Sequence, residues 1–220
     1  LVACAVVAGV ALVFAGYGVG SPWMVLTLAA VNAIAERSSV RITRTVEMSI
    51  ALLPTLFAAV LFGPLAAAIV NAAAMVGDPE LLARRDPMRA PRLKIASYAS
   101  SRFITGAATG LLATEVLERG GASFGALLGA TLLGALLAET LDILFAAAAA
   151  RARGRRGTVT VRALSPLLLT SVPVYAPLVA VLALAYSEVS SWTMPLFFIP
   201  ALAAQRLYGM YQRQRDLADK

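Results

Sequence analysis

The sequence predicts an all-α, polytopic integral membrane bundle with about six full spans and one short helical hairpin. Hydrophobic residues make up 60% of the 220 residues and charged residues only 14%, whereas a soluble domain averages about 25% charged residues. The mean hydropathy is +0.79. Lys and Arg are gathered in short segments between apolar runs, which is the pattern that orients membrane proteins. Despite the net charge of +7, we therefore expect a lipid bilayer, and no nucleic acid, as the partner.

Eight apolar segments follow one another along the chain. They comprise residues 1–15, 22–35, 48–61, 65–76, 95–117, 122–150, 163–186 and 192–207. The third and fourth are separated only by Phe62, Gly63 and Pro64. As helices they would be about 21 Å and about 18 Å long, which is short for a hydrocarbon core of about 30 Å. The other six are the predicted full spans.

The positions of the basic residues predict how residues 48–77 are arranged. Seventeen of the 19 basic residues lie in four segments, namely 36–47, 78–94, 151–162 and the tail from 206. A hairpin turning at Phe62-Gly63-Pro64 places all four on one side, which is then the cytoplasm. One long helix would place Arg37, Arg41 and Arg44 outside. We therefore predict that residues 48–77 form a hairpin, that the protein lies in the cell membrane, and that both chain termini are cytoplasmic. The hairpin either crosses the bilayer or is re-entrant.

The C-terminal residues predict a second, shorter unit. Residues 1–207 form the predicted transmembrane domain, and 208–220 begin a cytoplasmic linker helix. Leu207, Tyr211, Gln214 and Ala218 recur at the 4-3-4 spacing of a coiled coil, so we expect a homodimer through this helix. The chain begins with Leu1 rather than Met, and we expect it to be part of a longer protein.

Three charged residues within apolar segments form the candidate site. An unpaired charge at the bilayer centre costs at least about 2.5–3.5 kcal/mol. Arg102 is eight residues past Lys94 and Asp142 is eight before Ala150, which gives equal depths in antiparallel helices. We predict that they pair, with Glu139 deeper. The pair either fixes helix register or belongs to a ligand or proton site, which would be lined by Arg102, Ser101, Glu139, Thr140 and Asp142.

Small residues predict how the helices that carry this pair meet. Gly106 and Gly110 follow Arg102 at four-residue spacing, and Ala138 and Gly134 precede Asp142 in the same way. Small residues allow two backbones to approach closely in a membrane. We therefore expect these two stripes to pack against each other.

Catalytic chemistry is not expected in this segment. There is no His, and the single Cys4 lies in an apolar segment. No P-loop, GxSxG motif, metal-ligand spacing or dinucleotide-binding turn is present. We predict no enzyme activity, no metal and no cofactor for these residues.

Three stretches resemble a known family. They are AVLFGPLAAAIV (59–70), APLVAVLALAY (176–186) and PLFFIPALAAQRLYGMYQRQRDLADK (195–220). They are similar to the N-terminal membrane module of bacterial signalling proteins with a cytoplasmic HD-GYP phosphohydrolase domain. The resemblance implies a sensor or anchor whose last helix leads to a cyclic-dinucleotide phosphodiesterase outside this chain. Where the family often has Phe-Asn after the basic loop, this chain has Ser97-Tyr98.

A second resemblance is of a different class. The short Ser- and Pro-bearing helix, the Leu-Phe-Gly-Pro turn at 61–64 and the small-residue helix ending in Asp78 are similar to the substrate-binding component of energy-coupling-factor vitamin transporters. That resemblance implies a small-molecule ligand bound between helices. The alternative function is therefore a subunit of a small-molecule transporter.

Overall fold

The computed structural model is all-helical apart from one minimal strand pair, and this confirms the predicted all-α class. It describes residues 1–38, 40–41, 47–48, 50–77, 91–121, 123–154 and 156–218. The α-helices within these ranges are α1 (Val2–Phe14), α2 (Pro22–Arg37), α3 (Leu52–Ala73), α4 (Pro91–Gly120), α5 (Phe124–Ala152), α6 (Gly157–Glu188) and α7 (Thr193–Ala218). A 3-10 helix, Ala74–Gly77, follows α3, and two-residue strands β1 (Val40–Arg41) and β2 (Glu47–Met48) pair antiparallel. Arg84, Arg85 and Arg89 of the predicted basic loop lie outside the described residues.

By length and composition alone, counted as straight helices, three stretches among the described residues could cross a membrane. They are Leu52–Gly77, Phe124–Ala152 and Leu168–Glu188. Large apolar side chains also cover the outside of the bundle, among them Phe14 at 88% and Leu169 at 80% exposure. Because soluble monomers rarely expose large contiguous apolar surface, the described part of the chain is that of a membrane-associated helical protein.

The helix α3 reverses direction at Gly63. This residue has φ 81° and ψ −170°, a region that is essentially restricted to glycine. Thr55 Oγ1, in the first arm, donates to Asn71 Oδ1, in the second, at 3.3 Å. A straight helix would place these residues about 24 Å apart at about 1.5 Å per residue. Leu52–Gly77 is therefore two antiparallel arms rather than one rod.

The hairpin forms the centre of the bundle. Its arms bury Leu56, Phe57 and Val70 completely, and it packs mainly against α4, with α2, α6 and α5 around it. Phe57 makes edge-to-face contacts with Tyr186 of α6 and Phe198 of α7, at 5.5 and 6.0 Å between ring centroids. Small residues fill the second arm, so neighbouring helices approach it closely.

The glycine stripes pack differently from the prediction. A Cβ at Gly106 would collide with the backbone of Ala67, and a Cβ at Gly110 with Pro64. Both glycines therefore face the second arm of the hairpin and not α5. Gly134 instead meets Thr109 Cγ2 of α4 at 3.3 Å and Leu56 Cδ2 at 3.4 Å. The prediction that Gly106 and Gly110 pack against Gly134 and Ala138 was wrong, because the hairpin takes the position next to α4.

Candidate functional site

The predicted Arg102–Asp142 pair is present between α4 and α5. Arg102 Nη1 donates to Asp142 Oδ2 at 2.8 Å, and Thr105 Oγ1 donates to Asp142 Oδ1 at 3.2 Å. The Arg102 and Asp142 side chains are 20% and 34% exposed. Both carboxylate oxygens of Asp142 are thus occupied by donors from α4, which holds the two helices in register.

Two further residues complete the charged cluster on the other side of Arg102. Tyr98 lies one helical turn before Arg102, and its Oη accepts from Arg102 Nη2 at 2.9 Å and donates to Glu36 Oε1 at 3.3 Å. Arg102 Nη2 also lies 3.5 Å from Glu36 Oε1. Glu36 stands at the end of α2, so the cluster joins α2, α4 and α5. With one cation and two carboxylates, the cluster carries one negative charge in excess.

A buried amide cluster ties the hairpin to its neighbours beside this ion pair. Asn32 of α2 is fully buried, and its Nδ2 donates to Val70 O at 2.7 Å and to Thr55 Oγ1 at 3.4 Å. Asn71 Nδ2 donates to the carbonyl of Arg102 at 2.8 Å. Asn32 therefore bonds to both arms, and Asn71 links the hairpin to the backbone of the helix that carries the charged cluster.

The last helix is attached to the same end of α2. Gln205 Nε2 donates to Ala35 O at 3.0 Å and to Ser38 O at 2.9 Å. The final carbonyls of a helix lack the usual partners within the helix; Gln205 supplies a donor to both, and Ala35 O also accepts from Ser38 N at 3.2 Å. Glu36 lies between the two acceptor residues, so α7 is bonded directly beside the charged cluster.

The other predicted site residues form hydrogen bonds to groups outside the Arg102–Asp142 pair. Glu139 Oε1 accepts from Ser171 Oγ of α6 at 3.0 Å. Thr140 is exposed and donates to the Leu136 carbonyl of its own helix, and Ser101 donates to the carbonyl of Tyr98 at 2.8 Å. The hydroxyl groups of Thr140 and Ser101 therefore bond within their own helices, and the place of these residues in the lining of a ligand site stays a prediction.

Sequence reasoning missed four residues that the structure brings to this region, namely Asn32, Glu36, Tyr98 and Gln205. Asn32 was visible as a polar residue in an apolar segment, and Tyr98 as a partner four residues before Arg102. Glu36 was assigned to a loop, whereas α2 continues to Arg37. The bond of Gln205 to carbonyls about 170 residues away has no sequence signal.

The printed contacts of the charged cluster are ion pairs and hydrogen bonds between the side chains of Glu36, Tyr98, Arg102, Thr105 and Asp142. In the described residues, no group of three or more His, Cys, Asp or Glu side chains could hold a metal ion. The fold and site thus define a membrane-associated helical protein with a charged and amide-rich cluster at one end of its central hairpin. Comparisons with protein-family models, curated proteins and solved structures find no match.

Proposed function

We propose that the chain is the membrane-embedded sensory and anchoring module of a bacterial signal-transduction protein. In this proposal six spans enclose the hairpin, both termini are cytoplasmic, and α7 passes a signal to an output domain outside this chain. The resemblance to modules of HD-GYP proteins suggests a cyclic-dinucleotide phosphodiesterase as that output. A homodimer through α7 would bring two output domains together.

The observation that carries this proposal is the bond between Gln205 and the end of α2. After Gln205, α7 continues to Ala218, which is about 20 Å further at about 1.5 Å per residue. Tyr208 and Tyr211 in this extension are 50% and 62% exposed. A helix that is bonded to the core and then projects beyond α2 can carry a displacement of the core to whatever follows it.

The charged cluster supplies a two-state element next to this bond. Glu36 and Asp142 both pair with Arg102. Arg102 Nη1 lies 2.8 Å from Asp142 Oδ2, whereas Arg102 Nη2 lies 3.5 Å from Glu36 Oε1, so the pair with Asp142 is the closer one. A ligand or proton that neutralises or binds Glu36 would weaken its attraction to Arg102 and free the end of α2. Because Gln205 holds Ala35 and Ser38, that movement would reach α7. A ligand shifts such an equilibrium only by its differential affinity for the two states.

A reporter fusion tests the proposal. The chain is joined at Lys220 to a phosphodiesterase output domain, and activity is measured in membranes for Gln205→Ala and for Gln214→Ala. Gln214 is an exposed residue of the same helix, so it is the matched control. We expect Gln205→Ala to change output several-fold and Gln214→Ala to leave it unchanged.

Equal output from the unmodified fusion and Gln205→Ala, at equal membrane abundance, would contradict signalling through this bond. The complete reading frame offers an independent test. A downstream coiled coil and a His-containing hydrolase domain would support the sensor, and a stop codon after Lys220 beside genes for transporter ATPases would refute it.

The transporter alternative rests on the second family resemblance. A shallow, open depression beside the hairpin turn, lined in part by Val60, Gly63, Thr114 and Glu118, offers a place to test it. A saturable thermal shift with a small metabolite that is lost in Thr114→Leu would support this alternative.

A further inference from the structure

Four exposed arginines lie where α5 ends and α6 begins. They are Arg151, Arg153, Arg156 and Arg162, here called the arginine patch. None of them forms an ion pair with a carboxylate of the described residues, and the sequence holds no Asp or Glu from 143 to 187. This end of the two helices therefore presents positive charge that the described part of the chain leaves uncompensated.

Two contacts define the side of α6 that faces α5. A Cβ at Gly157 would lie 3.0 Å from the carbonyl oxygen of Ala147, and Ser171 Oγ donates to Glu139 Oε1 at 3.0 Å. Arg162 precedes Ser171 by nine residues, which is about two and a half turns at about 3.6 residues per turn. Arg162 therefore lies on the side of α6 that is turned away from α5.

The side of α6 that carries Arg162 is otherwise an exposed apolar stripe. Val159, Pro166 and Leu169 lie three, four and seven residues from Arg162, and all three are exposed. Residues at these spacings share one face of a helix. The exposed fractions are 63% for Val159 and 80% for Leu169. Because Leu169 belongs to the apolar stretch Leu168–Glu188, the face of Arg162 continues into the face that lipid acyl chains would cover.

The position of Arg162 along α6 corresponds to the lipid headgroups. The helix begins at Gly157, eleven residues before the apolar stretch that starts at Leu168. Arg162 precedes Leu168 by six residues, about 9 Å at about 1.5 Å per residue. The headgroup layer adds about 5–8 Å on each side of the hydrocarbon core. Arg162 thus lies at the outer edge of this layer, within reach of phosphate groups for a long and flexible side chain.

We propose that the arginine patch binds the headgroups of anionic phospholipids in the cytoplasmic leaflet, and that Arg162 contacts a headgroup phosphate from the lipid-facing side of α6. Arginine forms bidentate hydrogen bonds with phosphate, and basic clusters directly cytoplasmic of a membrane helix attract anionic lipid. The apolar stripe beside Arg162 fits the acyl chains of the same lipid, which neither a free anion nor an acidic protein surface would supply. The leaflet rests on the proposed orientation of the chain, whereas lipid binding does not require that α7 transmits a signal.

Thermal unfolding of the full chain in neutral detergent micelles tests the proposal. Phosphatidylglycerol, phosphatidylcholine or inorganic phosphate is titrated, and the half-saturating concentration is obtained from the rise in the unfolding midpoint. We expect a saturable rise with phosphatidylglycerol, a much smaller one with phosphatidylcholine and none with inorganic phosphate. Equal responses to the two lipids would show that the arginines act only in orienting the chain during insertion. An equal response to inorganic phosphate would show a site for a free anion, and either result would overturn the proposal.

Arg162→Gln and Arg206→Gln provide the matched comparison. Each removes one positive charge from an exposed residue, and Arg206 lies on α7, outside the arginine patch. The contribution of one basic residue at a charged membrane surface corresponds to about a fivefold change in binding. The half-saturating phosphatidylglycerol concentration should therefore rise about fivefold in Arg162→Gln and stay nearly unchanged in Arg206→Gln. Equal changes in the two variants would show a response to overall charge and would overturn the role of Arg162.

A combined variant covers the case in which Arg162→Gln does not fold. Replacing Arg151, Arg153 and Arg156 together by Gln leaves α6 intact and should remove most of the preference for phosphatidylglycerol over phosphatidylcholine. An undiminished preference in this variant would show that the lipid binds elsewhere. Because the readout is lipid binding by the chain alone, a normal lipid preference beside a failed reporter fusion would refute only the signalling role, and the reverse pair of results would refute only the lipid site.

Discussion

Thr55 Oγ1 lies 3.3 Å from Asn71 Oδ1, although sixteen residues separate them along the chain. The contact holds the two arms of the hairpin together near their open end, opposite the turn at Gly63. Asn32 of α2 bonds to both arms at the same level. Three side chains therefore join three helical segments in a region with almost no access to solvent.

Removing Asn71 should destabilise the fold strongly. Asn71→Leu removes the donor to the Arg102 carbonyl and the acceptor that Thr55 Oγ1 contacts in the other arm, although Thr55 keeps its bond to Ala51 O at 3.2 Å. Loss of a buried hydrogen-bond partner costs about 1–3 kcal/mol. We expect a clear fall in the unfolding midpoint of the purified protein. Thr140→Val is the control, because Thr140 is exposed and bonds within its own helix. A fall no larger than that of the control would show that the arms do not depend on this contact.

Exchanging the charges of the Arg102–Asp142 pair should restore part of what single reversals lose. Removal of one partner of a buried ion pair costs about 3–5 kcal/mol, and partial exposure here lowers that cost. Arg102→Asp and Asp142→Arg should each reduce folded yield and stability, and the double variant should recover a measurable part in a double-mutant cycle. If the double variant is no better than either single one, the pair does not set helix register.

Gly110→Ala should disrupt the packing of α4 on the hairpin. The new Cβ would meet the backbone of Pro64, and overpacking of this kind costs about 1–3 kcal/mol. Gly129→Ala is the matched control, because its nearest contact would be Val116 Cγ1 at 3.8 Å. Thermal unfolding should therefore separate the two variants, and equal midpoints would contradict the close approach.

The proposed orientation predicts opposite accessibility for Glu188, the last residue of α6, and Gln214, near the end of α7. In a Cys4→Ser background, Glu188→Cys should react with a membrane-impermeant thiol reagent added to intact cells. Gln214→Cys should react only after the cells are permeabilised. The positive-inside pattern is the physical basis of this expectation. Labelling of Gln214→Cys from outside would reverse the topology.

The sequence allowed the hairpin and the ion pair to be predicted for physical reasons. Gly63 and Pro64 interrupt an apolar run, and the basic residues that flank this run are expected on the same side of the membrane. Arg102 and Asp142 lie at equal distances from the ends of their helices, which predicts that they are neighbours. The helix that packs against Gly106 and Gly110 was not predictable. A stripe of small residues indicates that another backbone packs closely against it, but it does not identify that backbone. Gln205 was missed because it bonds to main-chain carbonyls, which carry no residue identity.

The burial of the hairpin has a consequence for biosynthesis. Neither arm is long enough to insert as an independent span, and Thr55 and Asn71 would face lipid if the arms entered the bilayer without their neighbours. Asn71 also needs the Arg102 carbonyl, which is synthesised later than the hairpin itself. We therefore expect the ribosome to deliver α4 before the hairpin reaches its final place, so that nascent chains ending at Gly77 remain open to protease.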